Sequence, residues 1–107
     1  PPRPSPAPLA SPSIARAVAL AAGADATILL VGMDGTVEGE GHDRYAINLP
    51  GNQSELIAEV SKASKGPVVI VYIGGGCVDM AAWKASPQID AILIAGYPGQ
   101  EGTRIVV

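Results

Sequence analysis

Three short runs of this chain are almost wholly small or β-branched apolar residues: Ala26–Val31 (ATILLV), Val68–Ile73 (VVIVYI) and Ile89–Ala95 (IDAILIA). Such runs have no polar face to turn toward water. Strands apolar on both sides belong in sheets covered by helices above and below. The composition agrees, since 48% of the residues are hydrophobic yet there is no Phe. Strand, helix, strand, short crossover, strand is the rhythm of a parallel sheet. The expected fold is therefore α/β: a three-layer α/β/α sandwich with a mainly parallel sheet, incomplete, with about three strands. The first run is expected to be a central strand buried on both faces.

The connecting segments carry helix signals. Ser13 is placed to cap a helix over Ile14–Ala22 that Gly23 stops, with Ala17, Leu20 and Ala21 on one face. Asn52 followed by Glu55 matches a capping box, and Leu56, Ile57, Val60 and Ala63 recur at helical spacing. A helix from Gln53 to about Ser64 follows. Val78–Trp83 reads as a short helical or irregular segment broken at Pro87, and Tyr97–Gly102 reads as a loop. Six of the first thirteen residues are proline, so residues 1–13 are expected to be a disordered or extended segment, with the partial domain over 14–107.

Several function classes are disfavoured. With 7 basic against 10 acidic residues the net charge is −3, and no basic cluster exists to attract nucleic acid. No apolar run is long enough to cross a bilayer, so no membrane partner is expected. The N-terminus lacks the basic-then-apolar pattern of a signal peptide; the parent protein is expected to be secreted, with its signal outside these residues. The lone Cys77 rules out an internal disulfide, and a buried structural thiol is favoured there over a reactive one. One histidine and one cysteine make no zinc site, and neither a phosphate-binding lysine loop nor a serine nucleophile elbow is present.

In a parallel sheet, ligands collect at the carboxyl ends of the strands. The loops leaving those ends are Gly32–Pro50, Gly74–Cys77 and Tyr97–Gly102, all rich in glycine. The first is unusually long, and long connections are more often functional than idle. It holds Asp34, Glu38, Glu40, His42, Asp43 and Arg44. Glu38 and Glu40 point to opposite sides of an extended chain, so they do not form a catalytic pair with each other. One of them can reach a site as a proton donor; on spacing alone a solvated acidic loop is the favoured reading. Gly32-Met33-Asp34-Gly35-Thr36 also resembles the signature of haloacid-dehalogenase-like phosphatases. The nucleophilic aspartate of that signature falls on Gly32, which has no side chain to attack phosphorus.

The run Val37-Glu38-Gly39-Glu40-Gly41-His42-Asp43-Arg44, then Leu49-Pro50-Gly51-Asn52-Gln53, resembles the C-terminal α/β domain of family 3 glycoside hydrolases. The β-xylosidase and β-glucosidase branches are the most similar. Gly74-Gly75-Gly76 before Val78-Asp79, and Gly96-Tyr97-Pro98-Gly99-Gln100-Glu101-Gly102, fit the same pattern, so the likeness extends over about Ala15 to Gly102. It implies a two-domain retaining exo-glycosidase acting on a carbohydrate substrate without a cofactor. A TIM-like barrel, absent from this chain, would supply an aspartate nucleophile. In the Gly-Glu-Gly-x-Asp-Arg form of the loop, Glu40 falls on the acid/base position, with Glu38 the runner-up. Asp43 and Arg44 match the Asp-Arg pair that follows, read as an ion pair ordering the loop, and His42 falls on a variable, solvated position. Three departures stand out: Cys77 replaces an expected proline, the Pro-rich start lies outside the pattern, and Thr103–Val107 replaces a continuation toward another helix. They suggest a truncated or mis-spliced piece that is silent on its own. A non-catalytic carbohydrate-binding or regulatory remnant is the alternative, and a phosphatase-like or nucleotide-binding α/β domain the third reading.

Overall fold

The computed structural model describes residues 12–34 and 47–105. The Pro-rich start lies outside them. The element order is α1 (Pro12–Ala22), β1 (Thr27–Gly32), α2 (Gln53–Ala63), β2 (Val68–Ile73), α3 (Ala81–Ala85), β3 (Ala91–Gly96) and a 3₁₀ helix (Gly99–Ile105). The sheet has the order β1-β2-β3 and both pairings are parallel. Thr27 pairs with Val68 and Gly32 with Ile73, so the strands end together at one edge.

The alternation of the strands decides where the core lies. Leu29 and Val31 share a sheet face with their register partners Ile70 and Tyr72. All four are buried and form one cluster with Ala21 of α1, Ile57 and Val60 of α2, and Trp83 of α3. The three helices therefore cover the same face. Same-side crossovers are what right-handed connections between successive parallel strands produce. Ile70 is 0% exposed and Val60 1%, marking the centre of this packing.

The other face looks different. Ile28 and Leu30 of β1 are 50% and 54% exposed, and Leu93 of β3 is 46% exposed. β1 is thus an outer strand among the described residues, half covered, and not the doubly buried central strand its composition suggests. Among the described strands β2 holds the centre, with a neighbour on each side. β3 starts at Ala91, and its Leu93 and Ile94 are exposed rather than buried: Leu93 lies on the face away from the helices, and Ile94, on the helix face, stands beyond the reach of the five-residue α3. Apolar composition reports what a strand can bury, whereas the elements packed against it decide what it does bury.

Local differences have local causes. α1 begins at Pro12, ahead of the expected Ser13 cap; proline suits the first helical turn because its missing N–H would be unpaired there. Ala17 and Ala21 face the core as expected, but Leu20 is 76% exposed and Val18 takes its place. The capping box at Asn52 is not formed. Asn52 has φ −95° and ψ 15°, outside the extended region a capping side chain needs, and makes no side-chain cap hydrogen bond. Asn52→Ala should accordingly cost less than about 0.5 kcal/mol, where loss of a working cap typically costs about 1 kcal/mol. Urea unfolding of the two chains side by side checks this. Tyr97–Gly102, expected as a loop, instead enters the 3₁₀ helix. Cys77, expected to be buried, is exposed.

Candidate functional site

The carboxyl ends of the three strands bring three segments to one edge. Each is tied to the sheet. Met33 N–H donates to the Ile73 carbonyl at 3.0 Å, continuing the β1–β2 ladder past the end of β1. Gly74 N–H donates to the Gly96 carbonyl at 3.1 Å, joining the second and third segments. The Tyr72 hydroxyl, at the end of a buried side chain, donates to the Gly76 carbonyl at 2.8 Å. The Tyr97 ring lies so close to Gly75 that a Cβ at Gly75 would overlap it.

The first segment is anchored at both ends. Met33 leaves β1 into the core at 8% exposure, and Leu49 returns to it at 6%. The Ile47 carbonyl accepts from Asp79 N–H at 2.8 Å, binding the returning arm to the stretch before α3. The Asp79 carboxylate in turn accepts from Ala81 N–H at 3.0 Å, which starts that helix. The Gln53 side-chain amide lies between the two ends. Its Oε1 accepts from Gly32 N–H at 2.8 Å, and its Nε2 donates to the carbonyls of Gly32 at 2.8 Å and Pro50 at 3.0 Å. An open groove of about 480 Å³ lies here, lined by Gly32, Met33, Asp34, Pro50, Gln53 and Ile73 among others. The sequence marks Gln53 as the start of α2 and the last residue of the Leu49–Gln53 motif, and gives its side chain no role. The available signal was a long-reaching amide three residues after a loop-closing proline, and that pattern does not say where the amide points.

Gly32 is required by crowding. A Cβ there would overlap the carbonyl oxygen of Ile73. No side chain fits at this position, so the aspartate nucleophile of the phosphatase signature has no place in this fold. Gly32→Ala should destabilise the domain by about 3 kcal/mol, the upper end for overpacking, because the atom in the way is backbone and cannot change rotamer. Urea unfolding measures the loss.

Glu38, Glu40, His42, Asp43 and Arg44 lie outside the described residues. The structure describes the two ends from which they extend. In chain order all five stand between Met33 and Leu49, the two buried anchors.

A parallel α/β domain with its loops gathered at the carboxyl edge, the longest acidic and clamped at its base, belongs to the class of domains that present ligand-facing groups from strand ends. The model of the glycosyl hydrolase family 3 C-terminal domain matches residues 9–107, and the chain belongs to that family. It is 48% identical over 89 residues to β-D-xylosidase 3 of Arabidopsis thaliana, covering 83% of this chain and 12% of that protein. Among solved structures, a GH3 exo-β-xylosidase in complex with a xylobiose aziridine activity-based probe superposes with a TM-score of 0.80. It is 38% identical and covers 89% of this chain and 12% of its own. A β-glucosidase from Kluyveromyces marxianus gives a TM-score of 0.72 at 35% identity, covering 82% of this chain and 10% of that one. The chain thus spans about an eighth of the length of the curated relatives it matches.

Proposed function

We propose that this chain is the part of a retaining, exo-acting β-glycosidase that delivers the acid/base carboxyl group. The parent protein removes terminal sugars from oligo- or polysaccharides, as a β-xylosidase or β-glucosidase, and is secreted. Glu40 is the acid/base residue, Glu38 is its runner-up, and Asp43 with Arg44 orders the segment around it. The barrel of the parent supplies the aspartate nucleophile, and no cofactor takes part. The observation that carries this reading is the first strand-end segment. It is acidic, it leaves β1 at the carboxyl edge, and both of its ends are pinned to the fold. On the sheet face away from the helices, Ile28, Leu30 and Leu93 are half exposed while Val71 between the strands is buried, and this partly covered apolar face supports a second helical layer supplied by further chain of the parent.

The chemistry follows from the two carboxyl groups. In the first step the aspartate carboxylate attacks the anomeric carbon while the Glu40 carboxyl gives its proton to the departing glycosidic oxygen. The carbon–oxygen bond breaks and a glycosyl ester forms. In the second step the Glu40 carboxylate takes a proton from water, whose oxygen attacks the same carbon and releases the aspartate. Two inversions leave the anomeric configuration unchanged. The carboxyl groups of such a pair stand roughly 5–5.5 Å apart, which requires barrel and sandwich together.

The test is turnover by the two-domain parent on nitrophenyl β-xyloside, β-glucoside and phosphate, the last with magnesium. Hydrolysis of a β-glycoside, with none by the 107-residue chain alone, is expected. Sugar binding without turnover by the parent would favour the non-catalytic reading, and hydrolysis of the phosphate ester alone would return the phosphatase one.

A further inference from the structure

Gln53 makes more contacts than a helix start requires. Gly32 N–H and C=O both meet its side-chain amide, at 2.8 Å each. Successive residues of a strand direct their backbone groups to opposite sides. Thr27 and Met33 donate toward β2, so Gly32 faces the outer side of β1. There the amide pairs with Gly32 as a neighbouring strand would, donating and accepting at one residue. The same Nε2 reaches the Pro50 carbonyl at 3.0 Å. One planar group therefore bridges the two ends of the segment that contains Glu40. Met33 and Leu49 anchor the same two ends in the core cluster.

We infer that Gln53 is a positioning residue for the acid/base carboxyl group, acting through the spacing of Gly32 and Pro50. This rests on the assignment of Glu40 proposed above. Proton donors work within narrow tolerances, and a displacement of about 1 Å can cost about 100-fold in rate. Gln53→Met keeps the volume of the side chain and removes all three hydrogen bonds. Gln53→Glu keeps the acceptor toward Gly32 N–H and removes both donations.

The experiment uses the two-domain parent and measures kcat/KM on an alkyl β-xyloside, which needs a proton on its leaving group, and on a dinitrophenyl β-xyloside, which does not. Gln53→Met should lose about 100-fold on the alkyl glycoside and less than about threefold on the activated one. Gln53→Glu should show the same selectivity. In a Glu40→Ala background Gln53→Met should change neither rate, because the residue it acts through is gone. Equal losses on both substrates, no loss on either, or failure of both variants to fold would overturn the inference and leave Gln53 a structural residue. The Glu40→Ala parent separates the two readings. If it shows no leaving-group dependence, the acid/base assignment has failed; if it does and Gln53→Met does not, only the positioning role has.

Discussion

Replacing Glu40 by Ala in the two-domain parent should lower kcat/KM on an alkyl β-xyloside about 1000-fold and on a dinitrophenyl β-xyloside by less than about tenfold, since general acid catalysis contributes roughly 10²–10⁴. The difference comes from the leaving group. An alkoxide is a strong base and must be protonated as its bond to carbon breaks. A dinitrophenolate departs as a stable anion, so the first step no longer needs the acid. A loss of 1000-fold corresponds to about 4 kcal/mol of transition-state stabilisation. On the activated substrate the second step still lacks its base. The glycosyl ester should accumulate, and kcat and KM should fall together while their ratio holds. Glu38→Ala should change both substrates by less than about tenfold. Steady-state kinetics on the two substrates tests all of this, and the selective pattern appearing in Glu38→Ala instead would move the assignment by two residues.

The largest effect on stability is expected at Ile70. Its side chain is 0% exposed at the middle of β2, paired with Leu29 on one side and Ile92 on the other. The helices press on the same face, so the gap left by truncation has walls on every side and little freedom to collapse. Ile70→Ala should cost about 4 kcal/mol, within the 2–5 kcal/mol usual for emptying a buried aliphatic site. That is a large part of the stability of a domain this size. Leu20→Ala is the comparison: Leu20 is 76% exposed on α1, and the change should stay within about 0.5 kcal/mol. Urea unfolding followed by circular dichroism compares them. Similar midpoints for the two variants would contradict the placement of the core.

The strands were the most legible part of the chain. Val68–Ile73 begins and ends where its sequence suggests, because Pro67 and Gly74 bracket an unbroken apolar run. Parallel order and the gathering of three glycine-rich segments at one edge followed from the same pattern. Burial was less legible. Ile28 and Leu30 are as apolar as Leu29, and only the side on which the helices pack distinguishes them. Asn52 shows a limit of motif reading, since a capping side chain works only from an extended backbone, and dihedral angles are not written in residue types. Cys77 is exposed because the stretch before α3 runs along the surface at that point, a consequence of the crossover and not of its own sequence. At the site, the acidic segment could be picked out by charge and glycine content. The clamp at its base could not, because the contact between Gln53 and Gly32 spans 21 residues and depends on where α2 starts relative to the end of β1.

The most direct measurement is the product formed when the Glu40→Ala parent turns over a dinitrophenyl β-xyloside in the presence of azide. Azide is a nucleophile that needs no base, so it can resolve the glycosyl ester that water no longer attacks efficiently. A rise in kcat with azide and a β-xylosyl azide product, identified by nuclear magnetic resonance, are predicted: the ester is formed with one inversion and opened with a second. No acceleration by azide, or an azide product of the α configuration, would contradict the assignment of Glu40 as acid/base of a retaining glycosidase.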